Sequence, residues 1–126
     1  MIKAVLFDTF GTIVDWRSSI AREGAAVAVQ KGLTEFDSDG FARAWRAGYR
    51  PGMARATAGE RSWVSIDVIH RERLDEIFPQ FGLPTRDGAA RDHLNRAWPR
   101  HTPWPHSVRS VTPPHTTLLP STLPHC

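Results

Sequence analysis

Ala4, Val5, Leu6 and Phe7 form an apolar run without alternation inside the stretch from Ile2 to Asp15. That pattern predicts a strand covered on both faces, as in a parallel sheet. Asp8 ends the run and Gly11 follows it, so a carboxylate is expected just beyond the strand, where open α/β sheets carry their chemistry. Position alone equally allows Asp8 to cap the turn. The period then changes. Ile20, Ala21, Gly24, Ala25, Ala28 and Val29 recur at helical spacing and predict a first helix from Ile20 to Lys31, capped by Ser18 or Ser19 and ended by Gly32. Its small residues leave room for a second helix to approach closely. Phe36 to Asp39 reads as a polar turn, followed by a helix from about Gly40 to Tyr49 with Phe41, Ala44, Trp45 and Gly48 on one side. Pro51-Gly52 is expected to interrupt it. A third helix is predicted from Ser62 to about Phe78, with Trp63, Ile66 and Ile69 on one stripe and Leu74 and Ile77 extending it. Its outer face carries Asp67, Arg71, Glu72, Arg73, Asp75 and Glu76, and Asp67 with Arg71 makes an i,i+4 pair. Phe81-Gly82-Leu83-Pro84 stops this helix, and Thr85 or Asp87 starts a fourth that ends near Trp98.

Beyond Trp98 the composition shifts. Residues 99–126 hold seven of the ten prolines and four of the six histidines, with no acid and no glycine, so neither helices nor central strands are expected there. The net charge of +3 lies in residues 93–126: residues 1–92 hold 13 basic and 13 acidic side chains, and the excess is Arg96, Arg100 and Arg109. A basic stripe on a folded face is missing, which argues against nucleic acid as a partner. Cys126 is the only cysteine, so no internal disulfide can form. No apolar run approaches the length of a membrane span, and the chain is read as cytoplasmic.

The string Phe7-Asp8-Thr9-Phe10-Gly11-Thr12, directly after the apolar run, resembles the opening motif of the haloacid dehalogenase superfamily of hydrolases. The resemblance implies that Asp8 is a covalent nucleophile and that Thr12 orients it, with Gly11 allowing the tight turn between them. Phosphatases of the superfamily carry a second aspartate two positions after the nucleophile, because an alkoxide leaving group must be protonated. Phe10 stands there in this chain and can donate no proton. Halide needs none, so the motif resembles the type II L-2-haloacid dehalogenase branch, which implies a 2-halocarboxylate substrate and no metal or other cofactor. Trp45-Arg46 is the second point of likeness, and it implies that Arg46 grips the substrate's carboxylate or the departing halide. A guanidinium suits this role because its planar donors engage a carboxylate at two points. An arginine paired with Asp37 or Asp39 on a solvated face is the competing reading, and Arg50, one turn on, is a rival for the same role. Trp63 reads as core, although the resemblance allows it to line the substrate pocket. His70, with no second ligand at a metal-like spacing, reads as a surface or packing histidine.

The implied fold is α/β. Residues 1–15 supply the first strand and motif of a Rossmann-like core, residues 16–98 an inserted helical cap, and residues 99–126 a truncated, irregular Pro/His-rich tail. Asp92 to Trp98 resembles the end of the cap, and Thr102 to Val108 resembles the return to the core, with His106 where an acid is usual. The likeness ends beyond Val108, which suggests disorder or a shifted reading frame starting near residues 100–108. The family's later Ser-Asn pair is absent, and Lys3 and Lys31 are the only lysines. Little or no turnover is therefore expected of this chain alone, since losing even one preorganised charge-stabilising group lowers rates by about 10²–10³. Homodimers are common among type II enzymes. Two other functions stay open: a phosphatase of the same superfamily, and a non-catalytic helical fragment or interaction module.

Overall fold

The computed structural model describes residues 1, 4, 6 and 8–111, with backbone only for 109–111. Its elements run β1 (Val14–Asp15), α1 (Trp16–Gln30), α2 (Ser38–Ala47), α3 (Tyr49–Thr57), α4 (Ile66–Ile77), α5 (Gly88–Asn95), β2 (Thr102–Pro103) and α6 (Pro105–Val111), with 3-10 turns at Pro79–Phe81 and Trp98–Arg100.

The strand expected over residues 4–7 is not formed at the positions described. Ala4 and Leu6 belong to no strand, Leu6 is 95% exposed, and Val5 and Phe7 lie outside the described residues. A strand is stable only when a neighbour takes up its backbone donors and acceptors, and among the described residues none lies beside this run. The sheet that does form is a short antiparallel ribbon in which Val14 faces Pro103 and Asp15 faces Thr102. It ties the segment entering the helices to the segment leaving them. The Trp104 amide donates to the Ile13 carbonyl at 3.0 Å, and the Thr102 amide donates to the Ser19 hydroxyl at 3.0 Å.

Helix α1 begins earlier than the apolar period suggests. Asp15 caps it by accepting from the Ser18 amide, in place of the expected Ser18 or Ser19. Its end follows expectation: Gly32 adopts φ +74, and the Leu33 amide reaches back to the Ala28 carbonyl. Asp37 caps α2 through the Gly40 amide, and Asp87 caps α5 through the Ala90 amide. Pro51 does not interrupt the second helical region. The break falls at Gly48, and Pro51 sits in the first turn of α3, where its missing N–H has no carbonyl to serve. Likewise α4 starts at Ile66, after Trp63. Arg71 pairs with Asp75 and Asp92 and leaves Asp67, whose carbonyl accepts from the Asn95 side chain. The proline-rich region does hold a helix, α6, which Pro105 opens at the position where proline is tolerated. Residues 112–126, including Cys126, lie outside the described residues.

One core joins these helices. Ile20 and Val27 of α1, Phe41 and Trp45 of α2, Leu74 and Ile77 of α4, Leu94 of α5, and Phe78 and Trp98 pack together. Gly24 permits the α1–α2 approach: a Cβ built there would stand 2.8 Å from the Phe41 ring. Trp45 links α2 to α4 by donating its indole N–H to the His70 carbonyl at 2.9 Å. No helix among the described residues is long and apolar enough to cross a membrane.

Candidate active site

The motif loop is tightly wound. Gly11 has φ +94, a conformation that strains any residue with a Cβ, and the Ile13 and Val14 amides both donate to the Thr9 carbonyl. This winding brings Thr12 back to Asp8, and its hydroxyl donates to Asp8 Oδ2 at 2.5 Å. Asp8 is exposed, and its second oxygen has no partner among the described residues. The segment after β2 braces the loop from outside: the Trp104 indole N–H donates to the Gly11 carbonyl at 3.1 Å, and Ser107 reaches the Thr12 carbonyl at 3.5 Å.

Arg46 meets the motif from α2. Its guanidinium carbon lies 5.1 Å from the centroid of the Phe10 ring, 4.5 Å from that of Tyr49 and 5.8 Å from that of Trp16. Three aromatic rings therefore surround a cation whose N–H donors no carboxylate occupies among the described residues. The competing solvated pair does not form. Asp39 binds Arg17 at 2.5 Å and Arg43 at 3.2 Å, which holds its carboxyl below the usual range, and Asp37 serves as a helix cap.

Behind the cage lies a second aromatic layer that the sequence pattern did not disclose. His70 stacks on Trp98 at 4.2 Å, and Trp98 meets Phe10 at 6.0 Å and His101 at 5.3 Å, both edge to face. His70 is 2% exposed, so it is a packing histidine. Burial, then the Arg46 charge, then His101 push its imidazole down to about 4, and burial followed by Arg46 also lowers His101. Both rings are thus neutral near neutral pH and add no charge to compete with Arg46. Their ring nitrogens and the Trp98 indole N–H are buried without hydrogen-bond partners among the described residues. Tyr49 was findable, three residues from Arg46 on a helix. Trp98 and His101 were not, because only the folded chain brings them to Phe10.

Trp63 joins neither layer. It sits in the segment before α4, is 73% exposed, and makes no ring contact among the described residues. The aromatic wall it was expected to supply comes from Phe10, Trp16 and Tyr49. Two openings adjoin the site. A cleft of about 710 Å³ lies between the motif loop and α1, lined by Gly11, Trp16 and Trp104, but its charged pair, Arg17 with Asp39, is mutually neutralised. A smaller pocket of about 320 Å³ is lined by Arg46, Ala47, Tyr49 and Arg50. The unpaired charge is in the smaller pocket, so it is the stronger candidate for an anion. Among the described residues no group of three or more His, Cys, Asp or Glu side chains could hold a metal ion.

A hydrogen-bonded carboxylate with one free oxygen can attack an electrophilic carbon, and a caged guanidinium that meets the same loop at Phe10 can hold an anion. No family model matches the sequence, and no curated protein matches it. Solved structures do. The defluorinating L-2-haloacid dehalogenase Rha0230 superposes with a TM-score of 0.75 and 45% identity, over 82% of this chain and 42% of that one. The L-2-haloacid dehalogenase PA0810 superposes with a TM-score of 0.71 and 32% identity, over 87% of this chain and 49% of that one. The chain spans somewhat less than half the length of these relatives. On likeness of this extent, together with the Asp8 motif and Arg46, the chain belongs to the haloacid dehalogenase superfamily, and it is similar to about half the length of these two L-2-haloacid dehalogenases.

Proposed function

We propose that this chain is the nucleophile-bearing portion of a hydrolase acting on carbon–halogen bonds, with short 2-halocarboxylic acids as substrates. The observation that carries the proposal is the joint geometry of two distant segments: Thr12 holds Asp8, while Phe10, two residues on, lies under the guanidinium of Arg46. In this reading Arg46 fixes the substrate carboxylate. The free oxygen of Asp8 forms a bond to C2, the carbon–halogen bond breaks with inversion, and the halide leaves with the electron pair. Water then adds to the carbonyl carbon of the aspartyl ester; the acyl–oxygen bond breaks, releasing the 2-hydroxy acid, a proton and the regenerated carboxylate. Phe10 supplies an apolar surface where a phosphatase would need an acid. Asp8 and Thr12 are the catalytic pair of this proposal, and Arg46 and Phe10 contact the substrate. Trp63, exposed in the segment before α4, contacts the substrate in this proposal only where the ligand extends beyond the ring cage.

The helical layer between the motif and Trp98 acts in this proposal as a cap inserted into an α/β core, with the β1–β2 ribbon as its stem. The setting proposed is cytoplasmic, and a homodimer is compatible with it. We further propose that these residues alone turn over slowly, because the core groups that stabilise the charge of both steps are not among them. The test is therefore a single-turnover one. Incubation with 2-chloropropionate is expected to release chloride and yield the aspartyl ester, detected as a mass increment on Asp8 by peptide mapping. Asp8→Asn is expected to abolish both, and chloride release that persists in Asp8→Asn would exclude Asp8 as the nucleophile.

A further inference from the structure

Arg46 and Arg50 stand one turn apart across the α2–α3 junction and line the same pocket of about 320 Å³. Two like charges lining one small pocket repel each other unless something neutralises them. Several neighbouring cations are neutralised: Arg17 and Arg43 by Asp39, Arg61 by Glu72, and Arg73 by Glu76. Neither Arg46 nor Arg50 has a carboxylate within ion-pair distance among the described residues. The two also differ in depth: Arg46 is half-buried within its cage of rings, and Arg50 is exposed. Positive charge thus runs from the wall of the pocket to its mouth, with the Tyr49 side chain between.

We infer that this pocket reads two anionic groups of one ligand, so that the substrate class preferred by the site is a 2-halodicarboxylate rather than a simple 2-haloacid. Arg46 takes the carboxylate beside the reacting carbon, and Arg50 takes the second one where the ligand meets solvent. The inference rests on the role proposed for Arg46 and adds the outer charge to it. The pocket's volume supports this, since it falls at the lower end of ligand sites and exceeds what a two- or three-carbon acid fills.

The test is a comparison of binding to the full chain, read by intrinsic fluorescence because Trp16 lies against Arg46. 2-Chlorosuccinate is expected to bind about fivefold more tightly than 2-chloropropionate, the scale of one partly exposed ion pair. Arg50→Gln is expected to erase that preference and leave the monoacid affinity unchanged, while Arg46→Gln weakens both ligands. Arg55→Gln, further along α3 and outside the pocket, keeps the preference and controls for net charge. Arg50 and Arg55 are both exposed, so neither substitution is expected to disturb the core, and unchanged helical circular dichroism checks that the variants are folded. Equal affinities in the parent chain, or a preference that survives Arg50→Gln or vanishes in Arg55→Gln, would overturn the second-charge reading and leave Arg46's role standing. Failure of both ligands to bind, or indifference to Arg46→Gln, would overturn both.

Discussion

His70 shows how a single side chain can report on the site's interior. Its imidazole, buried against Trp98 and facing the Arg46 charge, is pushed from 6.5 down to about 4. Between those values the unfolded chain binds a proton that the folded chain refuses, so stability is complete above the unfolded value and drains away as the pH falls toward the folded one. The shift corresponds to about 3 kcal/mol when fully expressed. Thermal melts at neutral pH and near pH 4 are expected to show this loss, and His70→Phe, which keeps a ring against Trp98, should flatten that part of the profile. A profile unchanged by the substitution would mean that His70 is charged or solvated in the folded chain. The same neutrality matters chemically. A protonated His70 or His101 would set a second cation beside Arg46 and spread the pocket's charge away from the guanidinium proposed to grip the substrate.

At the scale of elements, the helix interfaces are set by glycines of opposite kinds. Gly52 faces Ile69, and a Cβ there would lie 2.3 Å from Ile69 Cγ2, a methyl that a β-branched side chain cannot swing away. Gly52→Ala should therefore cost about 1–3 kcal/mol by overpacking, despite alanine's better helix propensity. Gly88, in the first turn of α5, has nothing within 4 Å, and Gly88→Ala should be neutral or stabilising by up to about 1 kcal/mol. Denaturant midpoints of the two variants check this, and equal midpoints would refute the packing account. The α1–α2 contact at Gly24 was legible, because a stripe of small residues at helical spacing has few other uses. The continuation through Pro51 was not. Proline breaks a helix interior but suits a first turn, and only the break at Gly48 shows which of the two Pro51 occupies.

For the whole molecule, one buried cluster joins α1, α2, α4 and α5, so a single cooperative transition is expected, with far-UV dichroism and tryptophan fluorescence melting together. Trp45 is fully buried at the centre of that cluster and holds α4 through the His70 carbonyl; Trp45→Ala should cost about 3–5 kcal/mol and lower the midpoint of both probes. Non-coincident melts in the parent chain would mean that the helices do not form one unit. The sequence by itself determined the residues on which the proposed chemistry rests, the Asp8 to Thr12 motif and the arginine after Trp45, and most of the helices, because covalent spacing and 3.6-residue periodicity are local properties. Tertiary structure alone decided three things. It left Ala4 and Leu6, the described residues of the first apolar run, outside any strand; it turned Trp63 outward; and it gathered Trp98 and His101 around Phe10 from some ninety residues away. Contacts at that separation are fixed by how helices pack, which no window along the chain contains.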